Sequence, residues 1–389
     1  MPPLPRLFQN DRGIRRWSLL VAYVLLLRAC SSALEAYGAQ RPAAQQLAAI
    51  FAPLVSRHEP GLAVLVRLNG KTVFKRGYGS RDLRAGAPIN ARSNFRLASC
   101  SKQFTAMAVL LLVHDGKLRL EDTLADVFPE FPAYGRAITL RNLLNHTSGL
   151  AAYEDLMDKT YAGKSWQEIP QISDAGVLEM MEQQTATKFP PGTAWEYSNS
   201  GYCVLAEVVE KTSGTGFAEF LRRRIFVPLK MQDTVAYEFG KSQVKSRAYG
   251  YTKDAGIWLE TDQSPTSATL GDGGIYTSLD DLSKWDDALR QHTLLSEAAM
   301  RPALAPVELP EGTRASSENA GRAPVEYGFG WFLDPYRDHA RMWHAGESIG
   351  FRTVIERFSD DALTIVILTN RTDLDPSALA LKVADLFLH

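Results

Sequence analysis

The chain is poor in cysteine, in charge imbalance and in long apolar runs, and each shortage removes a class of function. Three cysteines occur in 389 residues, Cys30, Cys100 and Cys203, with no CxxC pair. A disulfide scaffold and a cysteine-based zinc module are thereby excluded. The seven histidines contain no HExxH and no close pair at helical ligand spacing, so no metal site or cofactor is expected. Lys and Arg number 43 against 44 Asp and Glu, which leaves no electrostatic footprint for a nucleic-acid partner. No fixed-period repeat, Gly/Ser tract or block of like charge is present, which argues against a solenoid and against disordered tails.

What apolar run there is lies at the start. A charged opening ending in Arg15 and Arg16 precedes "WSLLVAYVLLL", and small residues follow in "ACSSALEAYGA". The run is well short of the roughly twenty residues of an ordinary membrane span. Residues 1–39 therefore read as a secretory signal peptide or an N-terminal membrane anchor, and the chain as exported, periplasmic or secreted. Membrane association through this segment is the expectation under the anchor alternative. Cys100 and Cys203 lie in stretches that read as buried helix, which favours free thiols over a bridge.

With 45% hydrophobic residues, the rest of the chain can bury a large core. "AQQLAAIFAPLVSRH" has helical apolar spacing. "GLAVLVRLNGKTVFKRGYGS" reads as two strands about a hairpin turn at Asn69-Gly70. Ser99 to His114 reads as a long apolar helix, and helical pieces with Pro/Gly punctuation fill the middle. Strands return in "YGFGWFL", "RMWHAG", "FRTVIERF" and "ALTIVILTN", and "SALALKVADLFL" closes the chain as a helix. Strands near both ends and helices between them predict an α/β (α+β) fold. In it the terminal segments join in one antiparallel sheet flanked by terminal helices. A mostly helical lobe, roughly residues 115–300, is inserted in the sheet lobe of a domain spanning 40–389.

Three short stretches carry candidate chemistry. "FRLASCSKQFTAMAVLLL" begins at Phe95 and crowds Ser99, Cys100 and Ser101 against Lys102. If the helix opens near Ser99, only that residue shares a face with Lys102, since side chains three apart are neighbours. Apolar surroundings favour a neutral amine, which can help take a hydroxyl proton. The spacing alone is weak, because "SQVK" at Ser242 to Lys245 repeats it, and a capping Ser99 beside a snorkelling Lys102 satisfies it equally. "PPGTAWEYSNSGY" supplies Tyr197, whose phenolate a nearby lysine would favour, making it a candidate general base. It also supplies Asn199, whose amide can hold a substrate carbonyl, although Asn199 or Ser200 also fits an ordinary helix cap. "RMWHAGESIGF" places His344 and Gly346 in a strand, where the glycine would let substrate approach the backbone. By itself His344 reads as a structural histidine.

In order, Ser-x-x-Lys, Tyr-x-Asn and His-x-Gly resemble the motif set of the class C β-lactamase-like serine hydrolases, which include class C β-lactamases, DD-peptidases, D-amino-acid-specific peptidases and serine esterases. "ITLRNLLNHTSGL", "GDGGIYTSLDDLSKW" and "YGFGW" extend the resemblance over most of the chain from about Gln45. The resemblance implies Ser99 as the acylated nucleophile, Lys102 and Tyr197 as general base and acid, and Asn199 as the group that positions the scissile bond. It puts His344 where many β-lactamases carry a lysine, which counts against β-lactamase activity. It assigns the oxyanion hole to the backbone N–H groups of Ser99 and Glu347, and it sets His146 aside as part of a structural motif. The Glu347 side chain would add negative charge there. The implied function is cofactor-free hydrolysis of small-molecule or peptide acyl substrates, esters or amides, through an acyl-enzyme. The alternatives are a D-amino-acid-specific peptidase, a DD-peptidase or weak β-lactamase, and a non-catalytic binding protein. The stretch from Tyr153 to Pro170 is expected to border the cleft and to lend its aromatics to an apolar acyl pocket.

Overall fold

Two of the strands are mostly apolar and buried almost from end to end, and that decides where the sheet sits. The computed structural model describes residues 44–310 and 326–388; the leader read at residues 1–39 lies outside them. Strands β1 (Leu62–Leu68), β2 (Lys71–Tyr78), β3 (Arg341–Ser348), β4 (Phe351–Phe358) and β5 (Leu363–Thr369) form one antiparallel sheet in the order β3-β4-β5-β1-β2. The central strand β5 is buried at every position and β1 at all but Leu68, as continuous apolar runs covered on both faces must be. At the edge, β2 buries little beyond Phe74. The β1–β2 turn has positive φ at both central residues, 51° at Asn69 and 72° at Gly70, the backbone that makes Asn-Gly a hairpin signal.

Among the described residues, those from 79 to 310 and from 326 to 340 lie outside this sheet, between β2 and β3. Within them lie helices α1 (Lys102–His114), α2 (Tyr153–Thr160), α3 (Asn199–Ser213) and α4 (Leu279–Arg290); α5 (Pro376–Ala384) follows β5. Lys102 to Leu112 of α1 are buried without interruption, so this helix is apolar all round because it runs through the core. It packs against α3, and Phe104 meets Phe226 and Trp285 ring to ring. Ala63, Leu65, Ile355, Val366 and Leu368 join that core from one face of the sheet. Helix α5 starts on an Asp375 cap with Pro376 in its first turn and covers β4 and β5.

Two local expectations change. The long helix does not open at Ser99: Ala98–Ser101 is a 3-10 turn and the α-helix begins at Lys102. "YGFGWFL" is not a strand but a loop with isolated bridges from Phe332 to Tyr327 and Trp343. The loop turns at Gly330, with φ of 77°, because it passes over the start of α1, where a Cβ would stand 2.8 Å from the Lys102 carbonyl oxygen.

Helix α4 is tied to the sheet by one buried carboxylate. Asp286 accepts from Arg67 at 2.8 Å, Arg357 at 3.0 Å and Thr364 Oγ1 at 2.7 Å, joining β1, β4 and β5. Removing one partner strands buried charge on the others. Asp286→Ala is therefore expected to cost about 3–5 kcal/mol in urea unfolding; a loss below about 1 kcal/mol would place the hold elsewhere.

Candidate active site

Between Ser93 and Leu112 only Ser99 escapes full burial, and the local backbone accounts for it. Residues Phe95–Arg96 pair with Ile275–Thr277, and the chain then turns through Ala98 at a φ of 48°. That left-handed conformation costs an alanine roughly 1–2 kcal/mol. In the 3-10 turn that follows, residues three apart eclipse each other, so Ser99 stands directly over Lys102, whose backbone N–H donates to the Ser99 carbonyl. Cys100 and Ser101 face inward. The Cys100 thiol donates to the His344 carbonyl at 3.0 Å, and Ser101 Oγ accepts from the Ile275 N–H.

The Lys102 amine is fully buried and meets three oxygens: Ser99 Oγ at 3.1 Å, Asn199 Oδ1 at 2.8 Å and the Asp272 carbonyl at 3.0 Å. None of them carries a charge. Burial lowers the lysine pKa; Asp272 and, more weakly, Cys203 and Glu154 oppose the shift. As an ammonium, Lys102 can donate to all three oxygens. As an amine, it donates to two and accepts the Ser99 proton.

Asn199 opens α3, capped by Ser198 Oγ, which accepts from the Gly201 N–H; the cap is thus neither Asn199 nor Ser200. Its carboxamide is held at both ends, because Nδ2 donates to Glu154 Oε1 at 2.7 Å while Oδ1 faces Lys102. Tyr197 lies two residues earlier, with Lys102 Nζ 4.9 Å from its ring centroid and its ring parallel to Phe332. The ring is partly exposed, but the hydroxyl is buried and finds no partner in good hydrogen-bond geometry, although Ser99 lies close enough to favour the phenolate. Burial pushes its pKa well up. The phenolate expected beside a lysine cation is therefore not favoured, since desolvation outweighs the nearby hydroxyl and the lysine itself is pushed toward neutrality.

His344 is buried. Its Nδ1 lies 2.6 Å from the Ala345 carbonyl and so carries the proton, which leaves Nε2 to accept from the Tyr327 hydroxyl at 3.2 Å. Burial and the lysine charge hold its pKa down at about 3, so this imidazole is neutral and internally satisfied. Gly346 is packed rather than open. A Cβ there would come within 2.1 Å of the Leu97 carbonyl oxygen and 2.4 Å of Thr353 Oγ1, so the glycine admits the protein's own turn, with Thr353 donating to Leu97 at 2.7 Å. That contact brings the backbone at 346–347 against the turn that carries Ser99. The Glu347 side chain points outward into an ion pair with Arg352, its direct cross-strand partner, and its charge is offset where the sequence reading left it unopposed.

Several participants escaped the motif reading. Glu154 and Asp272 sit inside stretches already singled out, but nothing in their spacing shows that they converge on Lys102. Tyr153, expected to line an acyl pocket, is buried and donates to Asp272 at 3.3 Å. Trp166 does stay exposed and borders a groove with Ile169, Gln171, Gln263 and Pro265. His146 is buried and neutral, and its Nδ1 accepts the Ser198 N–H, which braces the segment carrying Tyr197. Asp174, Cys203 and Asp272 bring three ligand-type atoms within 4.8 Å of one another. Both Asp174 oxygens already accept backbone N–H groups, and burial beside Asp272 pushes its carboxyl up to about 8, which favours the protonated form of Asp174.

Comparison with known proteins shows what the chain is similar to. The family profile described as Beta-lactamase matches residues 44–388. Penicillin-binding protein 4* of Bacillus subtilis (strain 168) is 31% identical over 88% of this chain and 75% of its own length. In fold, the D-amino acid amidase of Ochrobactrum anthropi SV3 superposes with a TM-score of 0.71 at 24% identity, over 89% of this chain and 99% of that one. The hydrolase EstCE1, described as having promiscuous acyltransferase activity, gives 0.73 at 20% identity, over 90% and 100%.

The burial of the thiols gives a first test. Burial pushes the Cys100 thiol up to about 12 and that of Cys203 well up. Peptides carrying either residue should resist iodoacetamide in the native protein and react once it is unfolded. The Gly346 contact gives a second. Gly346→Ala should cost about 1–3 kcal/mol and cut turnover at least tenfold by displacing the Ser99 turn; wild-type turnover would show that the turn does not depend on this approach.

Proposed function

The chain belongs to the beta-lactamase family, and on that premise we propose that it is a serine hydrolase that cleaves carboxylic esters or amides through an acyl-enzyme on Ser99. The observation that carries the proposal is the Lys102 amine, fully buried and 3.1 Å from the one hydroxyl of its turn that reaches solvent. In the first half-reaction Ser99 Oγ bonds to the acyl carbon while its proton passes to the neutral Lys102 amine. The carbonyl oxygen takes the negative charge and is received by the N–H groups of Ser99 and Glu347. Collapse breaks the bond to the alcohol or amine, which leaves with a proton. Tyr197, kept as a neutral phenol by burial, suits that donation, because opposed pKa shifts on two neighbouring groups separate base from acid. The proton that Lys102 took from Ser99 then passes to the phenolate, which restores the neutral amine and the phenol. Water then repeats the sequence on the acyl-enzyme. No cofactor is needed at any step.

Asn199, His344 and Gly346 belong to the substrate side of the proposal. Asn199 fixes the amine, and Gly346 lets β3 approach the Ser99 turn. A neutral His344 attracts substrate carboxylates weakly, which argues for uncharged acyl groups over β-lactams. Amides or peptides of D-amino acids form the second reading, favoured by relatives named as a penicillin-binding protein and a D-amino acid amidase. A non-catalytic binder has little support beside an intact Ser99–Lys102 pair. Export, and membrane association through residues 1–39, remain part of the proposal on the leader's composition; among the described residues no helix is long and apolar enough to cross a membrane.

A fluorophosphonate probe followed by peptide mapping should mark Ser99. Ser99→Ala should abolish the adduct and lower ester turnover by about a thousandfold or more, while Ser101→Ala and Cys100→Ala keep most of it. An adduct on another residue would overturn the assignment.

A further inference from the structure

We propose that Glu154 is a positioning residue for the Lys102 amine, acting through the Asn199 carboxamide and through its own negative charge. The inference rests on the reading of Lys102 as the group that takes the Ser99 proton. Asn199 presents two chemically opposite ends, and only one of them is useful. With Oδ1 toward Lys102, the neutral amine spends an N–H on Asn199 and keeps its lone pair for Ser99. With the amide reversed, Asn199 Nδ2 would donate to that lone pair and withdraw it from the hydroxyl. Lysine offers no acceptor when charged, so the reversed amide would also set donor against donor whenever Lys102 holds the proton.

Glu154 removes the ambiguity. Its Oε1 accepts from Asn199 Nδ2 at 2.7 Å, and the other end of the amide then faces Lys102 at 2.8 Å. The relay Glu154–Asn199–Lys102–Ser99 is a continuous line of hydrogen bonds that closes on Ser99 Oγ at 3.1 Å. Its source is remote in sequence, since α2 supplies the carboxylate, α3 the amide and α1 the amine. Hydrogen bonds in such surroundings are strengthened by low local dielectric.

The charge acts in the same place. The groups that face Lys102 are Asp272, Glu154, Cys203 and Cys100, together with neutral His146 and His344 and the rings of Tyr197 and Tyr202. Both cysteine thiols are held protonated by burial, which leaves two carboxyl groups to support a lysine charge. Asp272 is enclosed beside Asp174 and Tyr153. Glu154 is the member that makes no direct hydrogen bond to Lys102, whose Asp272 contact is to the backbone carbonyl. Burial raises the Glu154 pKa and the Asn199 N–H opposes that shift. Removing the negative charge that Glu154 carries above its pKa lowers the proton affinity of the amine, so the neutral amine persists to lower pH and the acid side of the rate profile moves down.

A purely structural role makes a different prediction. Glu154 also lies in the first turn of α2, where negative charge favours the helix, and that role affects thermal stability but not the pH profile. The test compares Glu154→Gln with Glu154→Ala, using hydrolysis of a neutral p-nitrophenyl ester across pH and melting temperature as the control. Gln keeps an acceptor for Asn199 and drops the charge. It should hold plateau kcat/KM within about threefold and move the acid limb down by about one pH unit. Ala drops both and should lower kcat about tenfold or more with little change in KM. An unmoved acid limb in Glu154→Gln, or wild-type kcat in folded Glu154→Ala, overturns the proposal; should the Ala protein not fold, the Gln profile decides alone. Wild-type protein that neither turns over the ester nor takes the fluorophosphonate on Ser99 would instead sink the reading of Lys102 itself, a result separable from a failure of Glu154.

Discussion

The structure depends on keeping a lysine out of water without giving it a carboxylate. Lys102 is fully buried and its three hydrogen-bond partners are a hydroxyl, an amide oxygen and a backbone carbonyl. Had one been a carboxylate, the ion pair would have locked the proton on nitrogen. With neutral acceptors burial is free to lower the lysine pKa and favour the amine form, which a base for a serine proton requires. Around it the chain assembles the apolar length of α1, the capped start of α3 and the loop through Asp272, each contributing burial or one of those oxygens.

The same constraint explains why several polar groups near the site are muted. His344 and His146 are buried and neutral, Tyr197 holds its proton, and the Cys100 thiol is spent on a carbonyl. Any of these, if charged, would raise or lower the proton affinity of the lysine by Coulomb interaction in a poorly screened interior. The two carboxyl groups that do face it, on Asp272 and Glu154, belong to hydrogen-bond networks of their own. The site thus has one adjustable proton and a surrounding shell arranged to leave it adjustable.

Rigidity comes from the sheet. The Ser99 turn is stitched to β3 and β4 by the Cys100 thiol, by Thr353 on the Leu97 carbonyl and by the absent side chain of Gly346. A residue at positive φ, Ala98, is held by those contacts, which is how strained backbone persists at reacting centres. Of these strands β4 is itself anchored, together with β1 and β5, by Asp286 of α4. Packing and polar ties therefore act on one object, the position of a single hydroxyl.

The order of the motifs, the Asn-Gly hairpin, the apolar strands β1 and β5 and the pairing of Ser99 with Lys102 were all legible in the sequence, because each depends on spacing along the chain or on a local backbone preference. The bend of the 327–333 segment was not, since its apolar residues suit a strand and only the passage of α1 beneath Gly330 makes it a loop. The inward role of Gly346 and the pairing of Glu347 with Arg352 follow from cross-strand register, which no single segment encodes. The proton states were the least legible. A tyrosine beside a lysine suggests phenolate on paper, and the burial of both reverses the expectation. The order of residues along the chain settles which side chains are present and which neighbours share a turn. Tertiary structure decided how much water each retains and which distant carboxylates face it, and desolvation at such a site outweighs what any local pattern announces.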